Sequence, residues 1–322
     1  MGLMGKALGT AAKAAAKRSG KGKVLAAGAV VALAGSAIAA GASALNARMH
    51  DVHRIRTAHG TATVKTVRTA DGTPVRVLQQ GGVYQSATYL DERRFEPVFA
   101  YYRAFDAMFE AETAFAQVAG HGIRTVLMLG GGGFSYPKHL LTSKTDVQMD
   151  VVELDPAIIA AARQWFFVDE LERSLAEDES ARGNSLRVIA GEGRAFLQAP
   201  SAPDAPTCYD AIVNDAFAGA APVRALATLE AARAIKARLS MGGLYLANVV
   251  SRSEGTDLSF LRDEVATLSQ AFAHVQVIPC SDSTFGGEDN YLVIASDGAY
   301  AFADAVPFDD DFLGEVLTDA VR

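Results

Sequence analysis

The chain has 322 residues, half of them hydrophobic, which suffices for one large domain or a domain with appendages. Its formal net charge is −7, and after residue 51 no basic run with interleaved aromatics occurs, which argues against a nucleic-acid partner. Only Cys208 and Cys280 are present, far apart and without a metal-ligand spacing, so neither a disulfide framework nor a metal site is expected.

The leader is basic: Lys6, Lys13, Lys17, Arg18, Lys21 and Lys23 all precede the first acidic residue, Asp51. Residues 24–45, from Val24 to Leu45, then carry no charge, and such a run is long enough to cross a hydrocarbon core as one helix. Because it is rich in Ala and Gly, three readings compete: an anchor, a signal peptide cleaved near Ala42, Ser43 and Ala44, and a loose tail. The anchor reading leads. It makes residues 1–56 a leader with an N-terminal apolar helix and predicts a membrane-associated chain with a single span. Its sidedness stays open, because Arg48, Arg54 and Arg56 blunt the charge asymmetry.

From Thr61 to Tyr89, short β-rich runs alternate with the turn signals Asp71-Gly72 and Gly81-Gly82. Residues 57–93 therefore read as a small antiparallel β unit. Between Phe95 and Phe115, the spacing of Val98, Tyr102, Phe105, Met108, Phe109 and Phe115 suits a helix with one apolar face, interrupted by Glu112. These aromatics read as core.

Strands and helices then alternate. Thr125 to Leu129 is a buried strand, Pro137 to Leu141 a helix, Gln148 to Val152 a strand and Pro156 to Phe166 a helix with Pro in its first turn. Leu186 to Ile189 and Ala211 to Val213 are the next strands, Val223 to Leu239 a long helix stopped by Gly242-Gly243, and Leu244 to Val250 a strand. Leu258 to Phe272, Val275 to Ile278 and Tyr291 to Ile294 follow as helix, strand, strand. This predicts an α/β fold over residues 94–300: a Rossmann-like, doubly wound sheet with ligands at the carboxyl ends of its strands. Residues 301–322 read as a peripheral tail.

Each candidate site residue falls at such a strand end. Gly130, Gly131, Gly132 and Gly133 follow the first strand, where bare backbone can approach a ligand; a tight turn is the alternative. About 20 residues on, Glu153 and Asp155 end the second strand, where a carboxylate can accept ribose hydroxyls. The glycines lack the G-x-G-x-x-G register, which favours a nucleoside over a dinucleotide. Gly191-Glu192-Gly193 ends the third strand, where Glu192 can accept from an adenine amino group. Asp215 ends the fourth, as an acid–base group or as a turn or cap residue.

In order and spacing these landmarks resemble the spermidine synthase family of aminopropyltransferases, a branch of the methyltransferase-like fold. Gly82-Val83-Tyr84-Gln85 looks like its Gly-x-x-Gln strand, and Asp91-Glu92 like its Asp-Glu pair. Val126 to Gly133 looks like its glycine loop, Val152 to Ile158 like its ribose-binding stretch, and Tyr209 to Asp215 like the strand before its catalytic carboxylate. The resemblance implies decarboxylated S-adenosylmethionine, or S-adenosylmethionine itself, as co-substrate. It implies Gln85, Gly130, Gly131, Gly132, Glu153, Glu192 and Gly193 as binding residues and Asp215 as the catalytic one. Tyr84, Tyr89 and Glu96 would wall the pocket, and family members commonly pair as homodimers through the β unit.

Departures cluster in the acceptor half. Gly133 stands where the family has an Asp that holds the donor's amino group, and Ala218 where a second Asp binds the acceptor's ammonium. Phe95 and Glu96 replace a Tyr and a His or Gln, Ala232 a Tyr, and Glu192 an Asp. Burying an unpaired ammonium is costly, so a nucleoside site with an altered amine site is expected, with Glu96 and Asp289 as substitute carboxylates. The expected function is transfer of an aminopropyl or methyl group to an amine or other small nucleophile. The competing reading is an inactive, membrane-attached nucleoside-binding or scaffold protein.

Overall fold

Alternating side chains between residues 52 and 89 build a four-stranded antiparallel sheet of β1 (Val52–Thr57), β2 (Gly60–Arg68), β3 (Pro74–Gln80) and β4 (Val83–Tyr89), in that order. Two-residue connections join β1 to β2 and β3 to β4. The second uses Gly81 and Gly82, both at positive φ, which the right-handed strand twist favours in a hairpin. In the computed structural model, residues 52–177, 183–203, 205–219, 221–250, 257–280 and 290–319 are described. β1 begins inside the expected leader, so the unit starts earlier than residue 57. Its weak apolar pattern, with Arg54 and Arg56 exposed, hid it from the sequence reading.

The expected aromatic helix is broken into α1 (Tyr101–Ala104), a 3-10 turn (Phe105–Glu110) and α2 (Glu112–Ala119). Then come β5 (Thr125–Leu129), α3 (Ser135–Ser143), β6 (Gln148–Glu153), α4 (Pro156–Trp165), α5 (Val168–Glu177), β7 (Ser185–Ala190) and α6 (Gly193–Gln198). After β8 (Tyr209–Asn214), a small hairpin of β9 (Phe217–Ala218) and β10 (Ala221–Pro222) precedes α7 (Leu229–Ala237), shorter than expected because Thr228 caps it. β11 (Leu239–Val250), α8 (Ser259–Ser269), β12 (His274–Cys280) and β13 (Asn290–Ser296) complete the series.

The large sheet has the order β12-β13-β11-β8-β5-β6-β7, with β13 antiparallel to both neighbours and the remaining pairs parallel. Parallel strands are covered on both faces, so they read as unbroken apolar runs. In β5, Val126 and Met128 enter the core that also holds Phe105, Phe115 and Tyr136, while Leu127 and Leu129 enter the core under α7 and α8. The chain order reverses between β5 and β8, the switch point at whose carboxyl ends sheets of this kind form their ligand crevice.

The tail is not peripheral. Phe302, Phe312 and Leu317 are buried, Leu229 N donates to Leu317 O at 2.8 Å, and Arg262 donates to Phe312 O at 2.6 Å.

The expectation of a membrane-associated chain is corrected. No helix among the described residues is long and apolar enough to cross a membrane. The longest, α8, has 11 residues, about 16 Å of helix against a hydrocarbon core of about 30 Å. Residues 24–45, and with them the apolar N-terminal helix, lie outside the described residues.

Candidate active site

The crevice is built from four loops. At the end of β5 the chain turns sharply at Gly130, whose φ of +89° disfavours any side chain. A Cβ there would lie 2.6 Å from the Asp215 carbonyl oxygen, so glycine lets the loops after β5 and β8 press together. A backbone bond from Asp215 N to Leu129 O fixes this approach, and Gly130 N donates to Val152 O of β6, both at 2.9 Å.

Glu153, the last residue of β6, braces the glycine loop. Its Oε2 accepts from the amides of Gly131 at 2.9 Å and Gly132 at 3.0 Å, and its Oε1 from Asp155 N at 3.0 Å. The neighbouring Asp155 caps α4 through Ala157 N at 2.8 Å and ties down β1 through Ala58 N at 2.5 Å. Between them Leu154 stays 43% exposed, an apolar wall flanked by carboxylates.

Gly133 departs from the resembled family for a visible reason. Its N–H donates to Ser86 Oγ at 2.9 Å, and a Cβ would sit 2.8 Å from Ser86 Cβ and 2.9 Å from the Phe166 ring. A carboxylate side chain has no room there. Phe134, in the left-handed region at φ 57°, buries its ring beneath Gly131.

Glu192 is exposed and caps α6, accepting from Arg194 N at 2.9 Å and Ala195 N at 2.7 Å. Gly193 opens that helix, and a Cβ there would make ordinary contact with Leu226 and Leu129. Gln85, on β4, donates to Gly219 O at 2.9 Å and so holds the β9–β10 hairpin against the first sheet.

Asp215 follows β8 and is half-buried. Its Oδ1 accepts from Asn248 Nδ2 at 2.8 Å and its Oδ2 from the Tyr101 hydroxyl at 3.3 Å. Burial lifts its carboxyl to about 7, although the hydrogen bonds from Asn248 and Tyr101, helped by the nearby Tyr102 hydroxyl, pull the other way. The Tyr101 and Tyr102 rings lie 4.2 Å apart, and the Tyr102 hydroxyl stands 3.4 Å from Ser86 Oγ.

Gly130, Gly131, Gly132, Glu153 and Asp215 therefore share one crevice, Gln85 stands at its side, and Glu192 with Gly193 stands beyond the neighbouring strand end. The expected pocket walls are engaged elsewhere: Tyr89 lies under Arg93, Tyr84 under Lys65, and Glu96 pairs with Arg103 at 3.6 Å. Ala218 is exposed, and Asp289 lies outside the described residues. Tyr101, Asn248 and Ser86 escaped sequence reasoning. The adjacent Tyr101 and Tyr102 are a visible signal, of which the apolar stripe takes in only Tyr102.

Strand order, glycine turn and acidic strand end together define an α/β protein of the methyltransferase-like Rossmann class. The chain belongs, more narrowly, to the spermine/spermidine synthase domain family, whose model matches residues 109–295, over half its length. A polyamine aminopropyltransferase from Vibrio vulnificus is 29% identical over 40% of this chain and 38% of its own. An N-terminal histidine N-methyltransferase from Emericella nidulans is 26% identical over 68% of this chain and 36% of its own. The chain thus matches less than two fifths of the length of either relative. Among solved structures, a probable spermidine synthase from Corynebacterium glutamicum superposes with a TM-score of 0.58 at 22% identity, covering 77% of this chain and 81% of the other. A spermidine synthase in complex with the transition-state analogue AdoDATO superposes with a TM-score of 0.52 at 18% identity, covering 82% and 86%. At these identities the structures establish the fold.

Proposed function

We propose that this chain is a transferase that takes S-adenosylmethionine or its decarboxylated form as co-substrate and delivers an aminopropyl or methyl group to an amine or other small nucleophile. The observation that carries the proposal is Asp215 itself: a half-buried carboxylate at the switch point, in backbone contact with the glycine turn at Gly130. The residues suit the nucleoside end of such a donor. Gly131 and Gly132 leave the floor bare, Glu153 sets an acceptor beside it, and the exposed side chain of Leu154 offers an apolar surface for a purine. Glu192 and Gly193 extend this wall, and Gln85 closes it from the β unit.

The donor's other end meets a different surface from the one the resembled family presents, since the position of its carboxylate is Gly133, packed against Ser86 and Phe166. A sulfonium donor supplies a carbon already activated toward a nucleophile. The protein's part is to hold that nucleophile in line and take its proton, and this reading gives both tasks to Asp215. With its carboxyl near 7, it is ionised often enough at neutral pH to accept a proton and returns it readily to water.

The test is incubation of the protein with each donor and a panel of mono- and diamines, with mass spectrometry of the nucleoside product. Methylthioadenosine marks aminopropyl transfer and S-adenosylhomocysteine marks methyl transfer. Asp215→Asn should lower the rate by about 10²-fold or more. If neither product forms from either donor, or if the variant matches the parent, the proposal fails.

A further inference from the structure

We infer that Tyr101 and Asn248 act as a two-sided clamp on Asp215, one hydrogen bond to each carboxylate oxygen, and are the positioning residues that aim this group at its substrate. The inference rests on the reading of Asp215 as the base. Its geometry is independent of that reading: Asn248 Nδ2 lies 2.8 Å from Oδ1, and the Tyr101 hydroxyl 3.3 Å from Oδ2.

The two donors come from elements far apart in the chain. Asn248 is on β11, in the sheet beside β8, and its residue is 8% exposed. Tyr101 opens α1, where its ring packs at a tilt of 31° against Tyr102, with centroids 4.2 Å apart, and edge-on to Phe105. Tyr102 is in turn fixed by its neighbours, with its hydroxyl 3.4 Å from Ser86 Oγ, which accepts from Gly133 N. Tyr101 is thus held by a stack anchored to the glycine loop, so the loop that lines the crevice also sets the position of the clamp.

A carboxylate with one fixed donor can still rotate about its terminal torsion, whereas donors on both oxygens fix its plane. Both donors favour the charged form and oppose the burial that raises the carboxyl. Among the described residues, the titratable groups facing Asp215 are Tyr101 and Tyr102, both from α1. Burial pushes their hydroxyls upward, so they remain donors through neutral pH. Asn248 from β11 and the Gly130 backbone complete the shell without a charge.

The test reads the carboxylate directly. Protein labelled with ¹³C in its aspartate carboxyls is titrated by NMR, with Asp215→Asn assigning the resonance. Tyr101→Phe keeps the ring and its stack, and should raise the Asp215 midpoint by roughly one unit through loss of one donor to the ionised form. Asn248→Ala should raise it at least as far. If either variant folds normally and leaves the midpoint unmoved, the clamp is wrong. In turnover, both variants should lose kcat with little change in KM and shift the acid limb of the pH profile upward in step with the midpoint. An Asp215→Asn variant that keeps the parent's rate while the Tyr101→Phe midpoint still moves would overturn the base assignment instead, and with it the catalytic meaning of the clamp.

Discussion

Three carboxylates at neighbouring strand ends do three different things. Glu153 accepts from the glycine loop, Glu192 caps a helix, and Asp215 is held by side chains from α1 and β11. Burial drives the Asp215 carboxyl upward, to about 7, against the pull of the hydrogen bonds it accepts. If it is the base, the deprotonated form is the active one. The value of kcat/KM should then climb about tenfold per pH unit below 7 and level off above it. A rate that falls as pH rises through 7 would contradict this. Gly130 supplies a second residue-scale expectation. Gly130→Ala forces a Cβ to within 2.6 Å of the Asp215 carbonyl at positive φ, and should cost roughly 1–3 kcal/mol in chemical denaturation while weakening donor binding. An alanine variant as stable as the parent would show that the two loops part more easily than their packing implies.

At the scale of elements, α6 and α3 carry the clearest consequences. Glu192 is the side-chain cap of the six-residue α6, so Glu192→Ala should lower stability by about 1 kcal/mol even without a nucleoside. Loss of nucleoside affinity with unchanged stability would assign the residue to binding alone. In α3, Lys138 is buried with its ammonium on Thr88 Oγ1 at 2.9 Å and Phe166 O at 3.0 Å, and burial pushes it down to about 7. The folded form therefore holds fewer protons than the unfolded chain between pH 7 and about 10.4, so this residue's contribution to stability rises with pH across that window. Urea denaturation of the parent and of Lys138→Met at pH 7 and pH 9 should show the difference moving in the parent's favour at the higher pH. A difference that stays constant would mean the lysine is charged throughout.

On the scale of the whole molecule, the C-terminal segment belongs to the structure. Thr228 donates to Asp319 at 2.7 Å, Leu317 N donates to Thr267 Oγ1 at 2.9 Å, Phe312 packs into the core under α7 and α8, and Leu317 is buried. Truncation after residue 306 should therefore lower the thermal midpoint markedly, and an unchanged midpoint in calorimetry would return the segment to the periphery. The first sheet is bound to the large one at the site itself, through Ala58 to Asp155, Gln85 to Gly219 and Ser86 to Gly133. Separating the two sheets would thus open the crevice as well as the fold.

Sequence alone settled the seven strands from Thr125 to Ile294 and four of the helices between them, though not α5 or α6, together with the glycine turn and the acidic residues at the strand ends. Those features are local: periodicity, capping and turn chemistry act within a few residues, and parallel strands buried on both faces announce themselves as apolar runs. It could not give the partners. That Glu153 braces the loop, that a side chain at Gly133 would strike Ser86 and Phe166, and that Tyr101 and Asn248 grip Asp215 all depend on residues brought together across 21 to 114 positions of chain. Such contacts are fixed by strand order and helix packing, and a tyrosine looks the same in sequence whether its hydroxyl meets water or a carboxylate.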